Sequence, residues 1–246
     1  MNRSIPIAAG LLALATATAA LAAGAHSRND PMEEPVLFWG AGVEIDGADN
    51  DWFERNDGAL INWDAYAWVG GDDVKVRLEA EGEGLDGDVE SSEIRALVSW
   101  NIATFWDLQA GLRYDTEPRG LGWAVLGVQG LAPYFFETDA RLFVSEDGDA
   151  AVRLEQTFDL LLTQRLVLQP HIEANAYTQD IPELGVGAGL ADIEAGLQLR
   201  YEFDRKFAPY VDVVYDRKLG ETSQIARAAG EDPEAVSIRF GLRIRL

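Results

Sequence analysis

Strict alternation of apolar and polar residues is the feature that most constrains the fold of this chain. Residues 73–83 are DVKVRLEAEGE, with apolar side chains at every second position and mostly charged side chains between them. Residues 236–246, VSIRFGLRIRL, repeat the pattern. Because successive side chains of a β-strand point to opposite faces, each segment predicts a strand with one apolar and one polar face. A helical period fits neither segment.

The same alternation predicts about twelve strands, an even number. They lie near residues 36–46, 59–69, 73–83, 91–101, 104–115, 121–131, 134–145, 149–161, 165–177, 190–202, 207–217 and 235–246. The connections after even-numbered strands are short, whereas those after odd-numbered strands are mostly longer and rich in Gly, Asp, Asn and Pro. Short turns on one rim and long loops on the other are typical of outer-membrane barrels.

The alternation alone does not show which face points outward, because a soluble barrel places its apolar face inside. Twelve strands, however, enclose more volume than side chains or one small ligand would fill. In lipid, an unpaired strand edge would leave backbone groups without partners, so the sheet must close. The sequence therefore predicts an all-β fold, a single closed antiparallel transmembrane β-barrel of the outer-membrane type over residues 36–246, surrounded by outer-membrane lipid.

The N-terminus has the pattern of a bacterial export signal. Arg3 supplies a positive charge, an Ala/Leu-rich stretch follows, and Ala23-Gly24-Ala25 is an A-x-A-like cleavage site. The pattern predicts a signal peptide over residues 1–25, cleavage after Ala25, a short tail over residues 26–35, and localisation in the bacterial outer membrane. An uncleaved membrane anchor is the alternative.

Composition excludes several classes of function. The formal net charge of −22 argues against a nucleic-acid partner, since phosphate binding needs a basic surface. The chain has no cysteine, so disulfides, thiolate metal sites and a cysteine nucleophile are excluded.

With the apolar face outward, the period of two places many charged residues in the lumen. One reading is a ladder of ion pairs that supports a water-filled interior; the other is a cavity that attracts cations. The predicted luminal acids are Asp64, Glu79, Glu81, Glu93, Asp107, Glu137, Asp139, Glu155, Glu173, Glu194 and Asp212. The predicted luminal bases are Lys75, Arg77, Arg95, Arg113, Arg141, Arg153, Arg200, Arg239, Arg243 and Arg245.

His171 is the one histidine within the predicted barrel and is followed on the same face by Glu173. A lone histidine is commonly a hydrogen-bonded structural residue, but an imidazole beside a carboxylate is also half of a site for Cu(II) or Zn(II). A serine hydrolase would need a serine beside His171, and few serines lie in the strands. We therefore expect no catalytic activity.

Several segments resemble the copper resistance protein B family, in order along residues 59–246. They include WDAYAWVGGD (63–72), FWDLQAGLR (105–113), GVQGLAPYFFE (127–137), DLLLTQRLVLQP (159–170) and DIEAGLQLRYEFDRKFAPYV (192–211). The resemblance implies an outer-membrane barrel of a periplasmic copper-resistance system. It also implies copper ions as ligand, with a periplasmic multicopper oxidase and copper carriers as partners.

One departure from that family bears on the metal. Many of its members carry a Met- and His-rich segment ahead of the barrel, whereas residues 26–35 (HSRNDPMEEP) hold a single Met and a single His. Metal binding would then fall to barrel residues, and carboxylates with an imidazole suit Cu(II), with low specificity, better than Cu(I). The candidate metal ligands are His171, Glu173, Asp64, Glu79 and Glu81.

The sequence thus predicts an outer-membrane copper-tolerance protein that sequesters copper or helps to move it out of the periplasm. The alternative is a general cation-selective or small-solute pore in which copper is incidental.

The export signal gives a first test. We expect the protein purified from bacterial outer membranes to begin at His26, because cleavage follows the small residues of the A-x-A-like site. Intact-mass measurement checks this. A mass that retains residues 1–25 would contradict it and support the anchor.

Overall fold

The computed structural model describes residues 37–49, 59–85 and 87–246, and most of them lie in antiparallel strands. The predicted signal peptide and the tail over residues 26–35 lie outside the described residues. The strands are β1 (Phe38–Asp49), β2 (Ala59–Gly70), β3 (Val74–Leu85), β4 (Asp88–Ala103), β5 (Trp106–Glu117), β6 (Leu121–Ala132), β7 (Phe136–Ser145), β8 (Ala150–Thr157), β9 (Leu160–Leu161), β10 (Leu166–Tyr177), β11 (Gly189–Tyr201), β12 (Phe207–Lys218) and β13 (Glu234–Arg245). One helix, α1 (Gly220–Ala229), lies between the last two strands.

The strands form one closed ring, because the first and last strands pair with each other. β1 pairs with β13 from Gly42↔Arg245 to Gly47↔Phe240, and each other strand pairs with its neighbours in chain order. β8 and β9 are two parts of one barrel strand, so the ring has twelve strands. The predicted fold class is confirmed.

Pro170 explains the interruption between β8 and β9. The register His171↔Thr157 and Leu168↔Leu160 places residues 158 and 159 opposite Pro170 and Gln169. Phe158 N donates to the Pro170 carbonyl at 3.1 Å, but proline has no N–H to return a bond. The ladder therefore opens over these two residues and resumes at Leu160.

The predicted strand alternation is confirmed, and the predicted asymmetry of the connections is confirmed only in part. One rim has turns of two to five residues, and the other carries the two long described connections, residues 178–188 and the segment that contains α1. The connections after β3, β5 and β7, which the sequence predicts to be longer, have only two to four residues. Among the described residues, no helix combines the length and hydropathy needed to cross a bilayer.

Side-chain exposure shows which face of the sheet points outward. Large apolar side chains of the strands are exposed: 67% for Leu112, 51% for Leu126. Arginines on the other face are buried, with 3% exposure for Arg95 and 1% for Arg200. The apolar face is therefore the outer face, as in a barrel surrounded by lipid, and the charged face lines the lumen.

The outward position of Leu112 leads to a stability prediction. We expect Leu112→Arg to lower the free energy of unfolding in lipid by about 2–4 kcal/mol, because it places a charge among acyl chains. Thr157→Arg adds the same charge to a residue that lines the lumen and serves as the matched control. Urea titration in liposomes measures both, and an equal loss would contradict the assigned outer face.

Candidate functional site

The inward faces of the strands enclose a polar cavity of about 1010 Å³. Most of the predicted luminal residues line it, which confirms their inward parity; Lys75, Asp107 and Arg200 contact other polar side chains instead. Some acids that line the cavity are missing from the predicted set. Glu83 and Asp115 are among them, although each lies two residues after a predicted inward residue, Glu81 or Arg113, and so points to the same face. The acids that line the cavity are Glu44, Asp46, Asp64, Glu79, Glu81, Glu83, Glu93, Asp115, Glu117, Glu137, Asp139, Glu155, Glu173, Glu194 and Asp212.

Strand register places carboxylates directly opposite one another in two rows. The first row crosses β1 to β5 and consists of Glu44, Asp64, Glu81, Glu93 and Asp115. The second row crosses β7, β8, β10, β11 and β12 and consists of Asp139, Glu155, Glu173, Glu194 and Asp216. Like charges opposite each other in a sheet are destabilising, so positive charge must lie close to both rows.

Two arginines supply part of that charge by reaching across the lumen. Arg141 of β7 donates from Nη1 to Glu79 Oε2 of β3 at 2.9 Å. Arg153 of β8 bonds Glu81 of β3 and lies 3.3 Å from Glu93 of β4. These two cross-lumen contacts bridge strands that lie four or five positions apart in the ring of twelve.

Of the predicted metal ligands, Glu79 and Glu81 are occupied by guanidinium groups. Besides Arg141, Glu79 contacts Arg95 at 3.1 Å and Arg77 at 3.0 Å. Glu81 accepts from Arg95 at 2.7 Å in addition to Arg153. A cation would have to displace an arginine to reach either carboxylate.

The other predicted ligands keep more freedom. Glu173 lies 3.5 Å from Arg153 Nε and accepts from Asn175 at 2.8 Å. Asp64 faces Glu44 and Glu81 across the ladder and has no ion pair within 4.0 Å among the described residues. Both line the cavity with His171.

His171 lies between two carboxylates. Its Nε2 is 2.9 Å from Asp212 Oδ2, and its Nδ1 is 3.8 Å from Glu194 Oε1. A carboxylate only accepts hydrogen bonds, so in the neutral ring Nε2 carries the hydrogen and the lone pair is on Nδ1, towards Glu194. The alternation predicts that Asp212 and Glu194 face inward, but it contains no signal that pairs them with His171.

Gly196 makes room for the imidazole ring. It is the cross-strand partner of His171, and a Cβ built on it would lie 2.1 Å from His171 Nε2. The ring therefore lies flat over the backbone of β11, which fixes the direction of both nitrogens. This contact depends on strand register.

His171 and its neighbouring carboxylates do not form a ready-made metal site. In residues 37–49, 59–85 and 87–246, no three His, Cys, Asp or Glu side chains are already grouped closely enough to hold one ion. A metal at His171 would therefore require side chains to move.

Comparison with known proteins identifies the family. The family model described as "Copper resistance protein B precursor (CopB)" matches residues 45–246. The chain belongs to the copper resistance protein B family. This confirms the resemblance, and the match includes His171, Glu173, Asp64, Glu79 and Glu81.

Two curated relatives carry the name of this family. Copper resistance protein B of Escherichia coli is 42% identical over 195 residues, which cover 79% of this chain and 66% of the relative. Its homolog in Pseudomonas syringae pv. tomato is 40% identical, with the same coverage. The chain thus spans slightly less than two thirds of the length of these copper resistance protein B relatives.

Solved structures support the fold of this copper resistance protein B family member. The NanC porin covers 84% of the chain with a TM-score of 0.55 and 12% identity, and the KdgM porin covers 82% with a TM-score of 0.51 and 12% identity. At that identity the likeness concerns the fold alone: a barrel of the outer-membrane porin type.

The contact between His171 and Gly196 leads to a second prediction. We expect Gly196→Ala to displace the imidazole from Asp212 and to lower the free energy of unfolding by about 1–3 kcal/mol, because the added methyl overlaps the ring. Denaturant titration measures the loss, and the NMR shifts of the His171 ring report its movement. Gly122→Ala is the control, since the nearest atom to its added Cβ is 3.8 Å away. Unchanged His171 shifts in Gly196→Ala would contradict the close contact.

Proposed function

We propose that this barrel contributes to copper tolerance by binding Cu(II) in its lumen, which sequesters the ion or helps to move it out of the periplasm. The observation that carries the proposal is the contact of His171 with two carboxylates inside an acid-lined cavity. The family supports copper as the ion, and the copper itself is cargo.

The geometry suits a divalent ion bound between His171 and Glu194. Two donor atoms that each lie about 2.1 Å from one ion can be no more than about 4.2 Å apart. The separation of His171 Nδ1 and Glu194 Oε1, 3.8 Å, is within that limit. Arg239 contacts the other oxygen of Glu194, Oε2, at 3.2 Å.

Asp212 acts in this proposal on the orientation of His171. A carboxylate that accepts from one ring nitrogen of a histidine fixes the tautomer and strengthens the other nitrogen as a ligand. Asp212 is 6% exposed, and its second oxygen, Oδ1, has no hydrogen-bond partner among the described residues. Asp212 is therefore a positioning residue.

Of the remaining predicted ligands, one can reach the ion and the others contribute only negative charge. Glu173 faces Glu194 in the ladder, so a small side-chain movement brings it to the ion as a third ligand. Asp64 adds negative charge on the opposite wall without an arginine within 4.0 Å among the described residues. Glu79 and Glu81 contribute to the field and bind no metal while Arg141 and Arg153 hold them.

The cation-selective pore is the second candidate, and the two rows of carboxylates favour it. The cross-lumen contacts of Arg141 and Arg153 argue against a wide, steady conduit, because these side chains extend across the interior to β3. A catalytic role is not part of the proposal: the polar partners of His171 among the described residues are carboxylates, with no serine hydroxyl. A multicopper oxidase and copper carriers are proposed as periplasmic partners from the family alone.

A metal titration tests the proposal. We expect the purified barrel to bind Cu(II) saturably in the presence of Zn(II) and Ca(II), and we expect His171→Ala and Glu194→Gln each to weaken binding about tenfold or more. Isothermal titration calorimetry measures the affinity, and electron paramagnetic resonance detects nitrogen coordination. Glu90→Gln removes an equal charge at an exposed position and is the control.

Two outcomes would count against the proposal. Equal binding of all three ions, insensitive to His171→Ala, would leave only a general attraction of cations. A steady, weakly selective current through the wild-type barrel in planar bilayers would favour the pore.

A further inference from the structure

One sector of the lumen is apolar, although it lies inside the ring of strands. Side chains on the inward faces of β4, β6, β7 and β8 form a buried cluster there. The cluster consists of Leu97, Leu121, Trp123, Val125, Phe143 and Ala151, together with Ile181. An apolar cluster in a lumen otherwise lined by charge calls for a separate role, because it does not face lipid and its cationic neighbours are Arg113 and Arg153, which lie over the rings of Trp123 and Phe143.

Ile181 joins this cluster from the connection between β10 and β11. This connection, residues 178–188, is called the β10–β11 loop below. Ile181 is 4% exposed, and Leu184 and Val186 pack against the same cluster. Ile181 N donates to the Val186 carbonyl at 2.9 Å, so the loop is a narrow hairpin. It folds inward to bury its apolar side chains within the barrel.

Helix α1, in the next connection on the same rim, holds the β10–β11 loop from the outside. The Gly187 N–H donates to Thr222 Oγ1 at 3.0 Å in a buried contact. A Cβ built on Gly187 would lie 2.5 Å from Glu221 Cβ, which shows how closely the loop approaches the helix. Asp180, which also accepts from Ala188 N at 2.7 Å, raises the pKa of Glu221 through a hydrogen bond and its charge.

The loop also lines the polar cavity. Leu184 and Val186 are part of the cavity lining, and Tyr177, at the end of β10, is beside them. The opposite rim has turns of only two to five residues, each returning to a strand about 4.8 Å away, which are too short to fold across the lumen. Among the described connections, those that reach the cavity therefore lie at the long-loop rim, which faces outside the cell in barrels of this type.

We propose that the β10–β11 loop, held by α1, is a lid that closes the cavity to the cell exterior, so that ions reach it from the periplasm. The apolar contacts of Ile181 provide the closure, and the contact between Gly187 and Thr222 keeps the loop in place. The proposal deepens the proposed function, on which it rests for the identity of the ion. Access from the periplasm suits a protein that takes up copper already inside the envelope.

Thiol labelling tests the lid, and the chain has no cysteine of its own. Glu173→Cys places one thiol in the cavity, and Asp147→Cys places one on the exposed outer rim. A charged methanethiosulfonate that does not cross the outer membrane is added to intact cells. We expect Asp147→Cys to be labelled and Glu173→Cys to be protected. In cells with a permeabilised outer membrane, we expect both to be labelled.

Opening the lid supplies the decisive comparison. Adding Ile181→Asp to Glu173→Cys should abolish the protection in intact cells, because a carboxylate does not stay in the apolar cluster. Glu183→Asp, at an exposed position of the same loop, should preserve it. Loss of heat-modifiable mobility on a gel would show that Ile181→Asp prevents folding. In that case Thr222→Val takes its place. It should increase the labelling of Glu173→Cys, because it removes the hydrogen bond from Gly187 N–H to Thr222.

Two results would overturn the lid. One is rapid labelling of Glu173→Cys in intact cells with the wild-type loop. The other is continued protection of Glu173→Cys when a folded lid variant is present. The labelling is carried out without added copper, so its failure leaves the metal proposal standing. Failure of the copper titration likewise leaves the lid standing.

Discussion

The pairing of β1 with β13 is the contact on which the rest of the structure depends. In the hydrocarbon core no water is available to a free strand edge, so each unpaired N–H or carbonyl group would cost several kcal/mol. Ring closure removes both edges and sets the register all the way round. That register places carboxylates in rows, Gly196 opposite His171, and Pro170 opposite the gap between β8 and β9.

Closure also creates an interior in which charge has to be neutralised over long distances. Two rows of acids are compatible with folding because arginines lie between and across them. Where Arg141 and Arg153 reach across the lumen, they bind the carboxylates of Glu79 and Glu81. At Glu194, one arginine contacts a single carboxylate oxygen, and the proposed cation site lies on the other. The same balance of charge thus separates structural acids from the candidate metal ligands.

The alternation of apolar and polar residues predicts the strands of this barrel, but it does not predict contacts between residues that are far apart in the sequence. Alternation over residues 73–83 fixed both the strand and its inward side chains, since the period of two is a property of the chain itself. It could not show which face points outward, because a soluble barrel has the same alternation. The contact of Arg141 with Glu79 depends on the curvature of the barrel, and that of His171 with Asp212 depends on the register of β10, β11 and β12. Burial of Ile181 depends on how a loop folds back, which its sequence does not reveal.

The cross-lumen contacts have a consequence for assembly. Neighbouring strands can pair in chain order, but Arg141 and Glu79 are 62 residues apart, and Arg153 and Glu81 are 72 apart. The guanidinium groups of β7 and β8 thus find these partners only when β3 and β4 are already curved towards them. A sheet of eight strands that stayed flat would expose these charges. The cross-lumen ion pairs are therefore available to a curled sheet and are lost to a flat one.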